Sequence, residues 1–261
     1  MNKLLLFVSL FVSLFFSVSD GFALKSNPAN FQCFAYHQET LNNPVNTGYS
    51  NGASRSSSVN QFIHVTQAIT DPGKPLAFFI SGDRGWTDFD QSLANRLAQK
   101  HIPCIGLDAL HYFWSEKNPQ KVAADIAPFI QNYMHTWGKS KILLVGYSFG
   151  ADVLPFVADK LPFILKDKIQ ALALLSPSEK AGFEIHVSDM LSIGNRKDVY
   201  NVVDEIRRLK YFPTLCIFGK DEETKFPEKL RGKNIHFLFT QGGHHFSNSF
   251  DEIIRFIMKE M

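Results

Sequence analysis

Residues Gly146-Tyr147-Ser148-Phe149-Gly150 constrain this chain more than any other stretch. They spell Gly-x-Ser-x-Gly. Before them, Lys141-Ile142-Leu143-Leu144-Val145 is a short apolar run that reads as a buried parallel strand. After them, Ala151 to Ala158 reads as the first turns of a helix. A strand that becomes a helix across so short a turn strains the residue at its apex, and glycines on either side leave room for strand and helix to approach. Such a nucleophile elbow holds the Ser148 hydroxyl at the carboxyl edge of a sheet. It also aims the Phe149 backbone N–H, at a helix N-terminus, at any oxyanion formed there. Five-residue patterns arise by chance, and the flanking strand and helix give this one its specificity.

From Pro75 onward, strands and helices alternate. Leu76–Ile80, Cys104–Leu107, Ile169–Leu175, Thr214–Phe218 and Ile235–Phe239 read as strands. Thr87 caps a helix from about Asp88 to Lys100, and Asn118 with Pro119 opens another to about Thr136. Phe250 to Met258 forms a closing amphipathic helix. Phe62–Val65 is a further strand, whereas residues 24 to about 60 lack helical periodicity. This order predicts the α/β class: a mostly parallel central sheet with helices on both faces. With the elbow, it predicts an α/β-hydrolase fold with ligands beyond the carboxyl strand ends. Residues 24–261 form one domain, with a small lid insert at about 177–210.

That fold orders its reactive residues Ser, then Asp or Glu, then His. Gly219-Lys220-Asp221-Glu222-Glu223 follows one strand, and Gly242-Gly243-His244-His245-Phe246 follows the next. Both acids remain candidates. Asp221 is the commoner residue type, and Glu222, three residues beyond Gly219, has the expected spacing. His245, directly before Phe246, is the favoured base and His244 its packing neighbour. A Ser hydroxyl is a poor nucleophile until an imidazole takes its proton, and a carboxylate fixes the tautomer of that imidazole. The loop after Ile80, Ser81-Gly82-Asp83-Arg84-Gly85-Trp86, is positioned to supply the Asp83 backbone N–H as a second oxyanion donor. Asp108 to Trp114 leaves the adjacent strand and is expected to border the same pocket. Candidate substrate contacts are therefore Trp86, Asp108, His111 and Tyr112, together with Asp152 just past the elbow. Surface acids and packed aromatics are common, so these assignments lean on the elbow.

A net charge of +2 argues against nucleic acid as a partner. Lys3 followed by the apolar run Leu4–Val18, with Gly21-Phe22-Ala23 after it, reads as a cleaved secretory signal over residues 1–23. The run is shorter than the ~20 residues that span a bilayer. Of the three cysteines, Cys104 and Cys216 sit in predicted strands and read as core, while Cys33 is a disulfide candidate. No Cys or His spacing calls for a metal, and no cofactor is implied.

Several of these stretches together resemble the bacterial virulence protein VirJ/AcvB family. They are Gly146 to Phe156, Ser81 to Trp86, Tyr112-Phe113-Trp114, Phe183-Glu184-Ile185-His186-Val187 and Gly242 to Phe246. The resemblance spans roughly residues 75 to 258. It implies a periplasmic serine hydrolase linked to virulence and type IV secretion. The implied substrate is an aminoacylated phosphatidylglycerol, notably the lysyl lipid, in the outer leaflet of the inner membrane. Ser148 would attack the aminoacyl ester, with His245 as base and Glu222 or Asp221 as its partner. Asp83, Asp108 or Asp152 would hold the substrate's ammonium groups. Secretion-system proteins are candidate partners. A generic periplasmic esterase or thioesterase is the enzymatic alternative, and a secretion accessory protein without chemistry is the alternative of another class.

Overall fold

The computed structural model describes residues 59–185 and 200–261. The expected signal segment, Cys33, and part of the expected lid, including His186 and Val187, lie outside those residues.

Seven strands form the central sheet: β1 (Ile63–Thr66), β2 (Leu76–Ile80), β3 (Cys104–Leu107), β4 (Ile142–Tyr147), β5 (Ile169–Leu175), β8 (Thr214–Gly219) and β9 (Ile235–Thr240). Their spatial order is β1-β3-β2-β4-β5-β8-β9. β1 pairs antiparallel with β3, and every other pairing is parallel. Strand β4, which ends in the elbow, is therefore central. The strands are apolar on both faces because both are covered. Phe78, Ile80, Leu144, Leu172 and Cys216 point into one core, and Ala77, Phe79, Leu143, Val145 and Leu215 into the other.

The helices between strands supply those covers. Helix α1 (Asp88–Gln99) begins with a capping box between Thr87 and Asp90, and it packs with the last helix, α8 (Phe250–Glu260), through Leu93, Leu97, Ile253 and Ile257. On the other face, α3 (Pro119–Thr136) starts at the Asn118 cap with Pro119 in its first turn, and it lies against α4 (Phe149–Lys160). Short helices α2 (Ala109–Tyr112), α5 (Phe163–Lys166) and α7 (Phe226–Lys229) fill connections. The described part of the insert pairs β6 (Lys180–Ala181) with β7 (Tyr200–Asn201) and continues into α6 (Val202–Arg208), which packs on α4. Phe183 anchors it between Phe113, Phe156 and Tyr200. Cys104 and Cys216 are buried free thiols in the core, and burial pushes both well up from their ordinary values.

The elbow explains its own glycines. Ser148 has φ 51° and ψ −118°, a region that costs a non-glycine residue about 1–3 kcal/mol. A Cβ on Gly146 would lie 2.6 Å from the Gly150 carbonyl oxygen, and one on Gly150 would overlap the Ile80 carbonyl oxygen of β2. Gly150→Ala must therefore push α4 off the sheet. The expected result is a loss of about 1–3 kcal/mol or more in urea unfolding, or no soluble protein. An unchanged unfolding midpoint would refute the close approach.

Candidate active site

Three strand ends converge on Ser148. Parallel pairing of β8 with β9 runs to the last residues, Gly219 opposite Thr240, so the loops that follow leave the sheet side by side. Their contact is close enough that a Cβ on Gly219 would overlap the Gly242 and Gly243 carbonyl oxygens. The Asp221 N–H donates to the Gly242 carbonyl at 3.1 Å, tying the acid loop to the histidine loop. Within the acid loop, Glu222 curls back over its own strand end. Its Oε1 accepts from the Gly219 N–H at 2.7 Å and from the Ser176 hydroxyl at 2.7 Å. Ser176 follows β5, in the left-handed region at φ 52°.

This arrangement separates the paired candidates. Glu222 faces the site, whereas the Asp221 side chain is exposed to solvent. The expectation for the base needs correction. His244, not His245, approaches the hydroxyl, with Nε2 2.9 Å from Ser148 Oγ and Nδ1 3.4 Å from Glu222 Oε2. His245 turns the other way, and its Nδ1 lies 2.6 Å from the Tyr147 hydroxyl. The reason lies just beyond: buried Phe246 starts a one-turn 3-10 helix in which Phe246, Ser247 and Asn248 all have positive φ. That twist anchors the chain and turns the two adjacent imidazoles to opposite sides.

Burial alone would raise the Glu222 carboxyl. Hydrogen bonds from His244, the Gly219 N–H and Ser176, together with the His244 charge, outweigh it and hold the group below its ordinary value of 4.5. Burial pushes the Tyr147 phenol well up, and Asp90, Glu222 and Asp83 add to the rise against the opposing Arg84 charge. Tyr147 therefore stays protonated; its hydroxyl donates to the His244 carbonyl at 3.3 Å and lies 2.6 Å from His245 Nδ1. Phe89 packs on its ring at 4.2 Å between centroids.

Two clefts meet at Ser148. One, of about 480 Å³, is lined by Asp83, Arg84, Asp90, Tyr147, His244 and His245 among others. The other, of about 370 Å³, is lined by Asp83, Phe149, Asp152, Ser178, Glu179 and Lys180. The Phe149 N–H lies in the first turn of α4 beside Ser148, and the Asp83 loop rims both clefts. Asp152, one of the candidate substrate contacts, lines the second cleft; it is buried, and its carboxylate accepts from the Ser178 N–H at 2.6 Å.

None of the other four substrate candidates, Trp86, Asp108, His111 and Tyr112, lines either of these two clefts. Trp86 lies over Gly106, stacks on His64 at 4.9 Å and donates its N–H to Gln91. Tyr112 is buried and its hydroxyl donates to Asp125 at 2.7 Å. Asp108 caps α2 and pairs with His111 Nδ1 at 2.8 Å. These side chains brace the loops instead. Sequence reasoning missed Ser176, Tyr147 and Asp90. Asp90 is visible beforehand only as a capping-box acid, yet it lines the larger cleft with its Oδ1 buried and unpartnered. Burial raises its carboxyl against the Thr87 hydrogen bonds. Among the described residues no group of His, Cys, Asp or Glu side chains is placed to hold a metal ion.

A mostly parallel sheet with the elbow on its central strand defines the α/β-hydrolase fold, and solved structures agree at that level. The chain superposes on Est1E from Butyrivibrio proteoclasticus with a TM-score of 0.54 at 14% identity, covering 76% of this chain and 93% of that one. For MenH from S. aureus the values are 0.56, 16%, 76% and 98%. For a putative dienelactone hydrolase from Klebsiella pneumoniae they are 0.52, 12%, 76% and 97%. The sequence is more particular than the fold: residues 74–261 match the family described as bacterial virulence protein VirJ, and the chain belongs to that family. No curated protein matches it.

The Glu222 pairing has a signature in stability. A carboxyl held down in the folded state contributes stability that is in place above its ordinary value of 4.5 and is lost as pH falls through the lower folded-state value. Glu222→Gln is expected to flatten the acid limb of a stability-against-pH curve from urea unfolding. An acid limb identical to wild type would mean that Glu222 is not held by these bonds.

Proposed function

We propose that Ser148, His244 and Glu222 act as a catalytic triad. The protein would then be a serine ester hydrolase. The observation that carries this reading is the 2.9 Å approach of His244 Nε2 to the hydroxyl of a backbone-strained Ser148. With Nδ1–H directed at Glu222, Nε2 is the basic nitrogen. The 3.4 Å separation from Glu222 is long, as is common before substrate binds.

Ser148 Oγ attacks the ester carbonyl while its proton passes to His244. The resulting oxyanion lies against the Phe149 and Asp83 N–H groups. Glu222 stabilises the imidazolium. As the tetrahedral intermediate collapses, His244 gives the proton to the departing alcohol oxygen and leaves an acyl-Ser148. A water molecule, deprotonated by His244, then releases the acid and restores the serine.

The proposed substrate is the aminoacyl ester of lysyl- or alanyl-phosphatidylglycerol in the outer leaflet of the inner membrane. The protein would be exported to the periplasm by its first 23 residues. VirJ family membership supports this choice, and so does charge: a substrate with ammonium groups and a phosphate suits clefts that carry Asp83, Asp90 and Asp152 as well as Arg84.

Incubating the protein and its Ser148→Ala variant with vesicles containing each lipid tests the reading through released amino acid. Release by wild type alone is expected. Absence of release together with no fluorophosphonate labelling of Ser148 would favour a secretion accessory role instead. Labelling without release would keep the hydrolase and discard the lipid. For the base, His244→Gln should lower kcat by at least ~10³, against less than ~10² for His245→Gln. The reverse order would return the role to His245.

A further inference from the structure

Strand β9 ends the sheet, and its outer side is open. Parallel register fixes which of its backbone groups are used. The Asn234 and Thr240 carbonyls accept from the Thr214 and Lys220 N–H groups at 2.7 and 2.8 Å, so alternate residues from 234 to 240 bond toward β8. Ile235, Phe237 and Phe239 therefore direct their N–H and C=O groups out of the sheet, where no described strand meets them. Only the Ile235 N–H is taken, by the Gly232 carbonyl of the preceding turn. Such a row is a template for another strand, and sheets usually blunt it with lysine, proline or a bulge. β9 has neither lysine nor proline from Ile235 to Thr240, and it pairs with β8 without a register shift. Apolar packing runs up to this edge: Phe218, Phe239 and Phe237 form a stacked row with centroids 5.9 and 6.4 Å apart, and Phe239 is 42% exposed.

The strand suits its own copy. Antiparallel pairing about a two-fold axis at Phe237 sets that residue against itself and Ile235 against Phe239. Each pair can exchange backbone bonds, and aromatic–aromatic and aromatic–β-branched pairs stabilise such ladders. On the other face His236 meets Leu238, so no like charges are opposed. The ends are complementary too. Exposed Arg231 and Lys233 precede β9. Beside its far end lies the loop tied to Gly242 by the Asp221 N–H, where Asp221, Glu222 and Glu223 outweigh Lys220 and Lys225. Antiparallel pairing brings the basic end of each copy to the acidic loop of the other, whereas parallel pairing would set basic end on basic end. We propose that β9 is a homodimer interface that joins two sheets into one across a two-fold axis at Phe237. This inference stands without the triad.

Sedimentation of the purified protein tests it, and a species of twice the chain mass is expected at ~10–100 μM. Phe239→Lys places a charge on the edge and is expected to weaken association at least about 100-fold while far-UV circular dichroism stays that of a folded chain. Phe237→Pro removes an outward N–H, which an edge strand tolerates, and should act in the same direction. Register is read by disulfide formation in a Cys33→Ser background. Phe237→Cys should crosslink on oxidation, because facing residues of a bonded antiparallel pair have Cα atoms about 5.5 Å apart, and Phe239→Cys should not. A wild-type monomer at ~100 μM would overturn the interface. So would a dimer that persists in both Phe239→Lys and Phe237→Pro, or crosslinking by Phe239→Cys without crosslinking by Phe237→Cys.

Discussion

One backbone approach carries the rest of the structure: α4 runs so close to β2 that only a glycine fits between Gly150 and the Ile80 carbonyl. That contact turns the chain sharply enough to hold Ser148 at positive φ. The strain is held by a core in which α4 is buried almost along its length. The same contact brings the first N–H groups of α4 beside the loop that leaves Ile80. Ser148, the proposed nucleophile, and both proposed oxyanion donors thus follow from one close packing. They need no large rearrangement at the moment of reaction, which is the condition for electrostatic stabilisation to act strongly.

The other half of the site depends on strand register. Because β8 and β9 pair to their last residues, their loops emerge together, and Gly219 lets one fold over the other. Glu222 is then fixed by its own strand end and by Ser176 from β5, so two adjacent strands share one carboxylate. Tyr147 performs a similar service beneath the histidine loop, where its protonated hydroxyl engages His245 and the His244 carbonyl. His245 is thus a brace, and its position next to His244 in sequence hides a difference of direction.

The elements were largely legible. Strands Leu76–Ile80, Cys104–Leu107 and Ile169–Leu175 are continuous apolar runs, and they form where those runs lie because strands covered on both faces need no alternation. Helix α3 begins at Asn118 and Pro119 because an N-cap acceptor and a preset φ favour that start whatever surrounds them. Side-chain destinations were less legible. Trp86 and Tyr112 are aromatic residues in the right loops, but Trp86 covers Gly106 and Tyr112 reaches Asp125. An aromatic that packs and one that walls a cleft have the same sequence signal.

What the sequence by itself determined is the order of strands and helices, the elbow, and the loops that supply acid and imidazole. Those features follow from periodicity, caps and glycine sterics, which act over a few residues. The tertiary structure decided between neighbours: Glu222 over Asp221 for the contact with His244, and His244 over His245 for the approach to Ser148. It also buried Asp152 at the wall of a cleft. Adjacent residues in an irregular loop share composition and solvent preference. Only the distant groups that receive them, here Ser176, Tyr147 and the turn at Phe246, set which side chain faces Ser148.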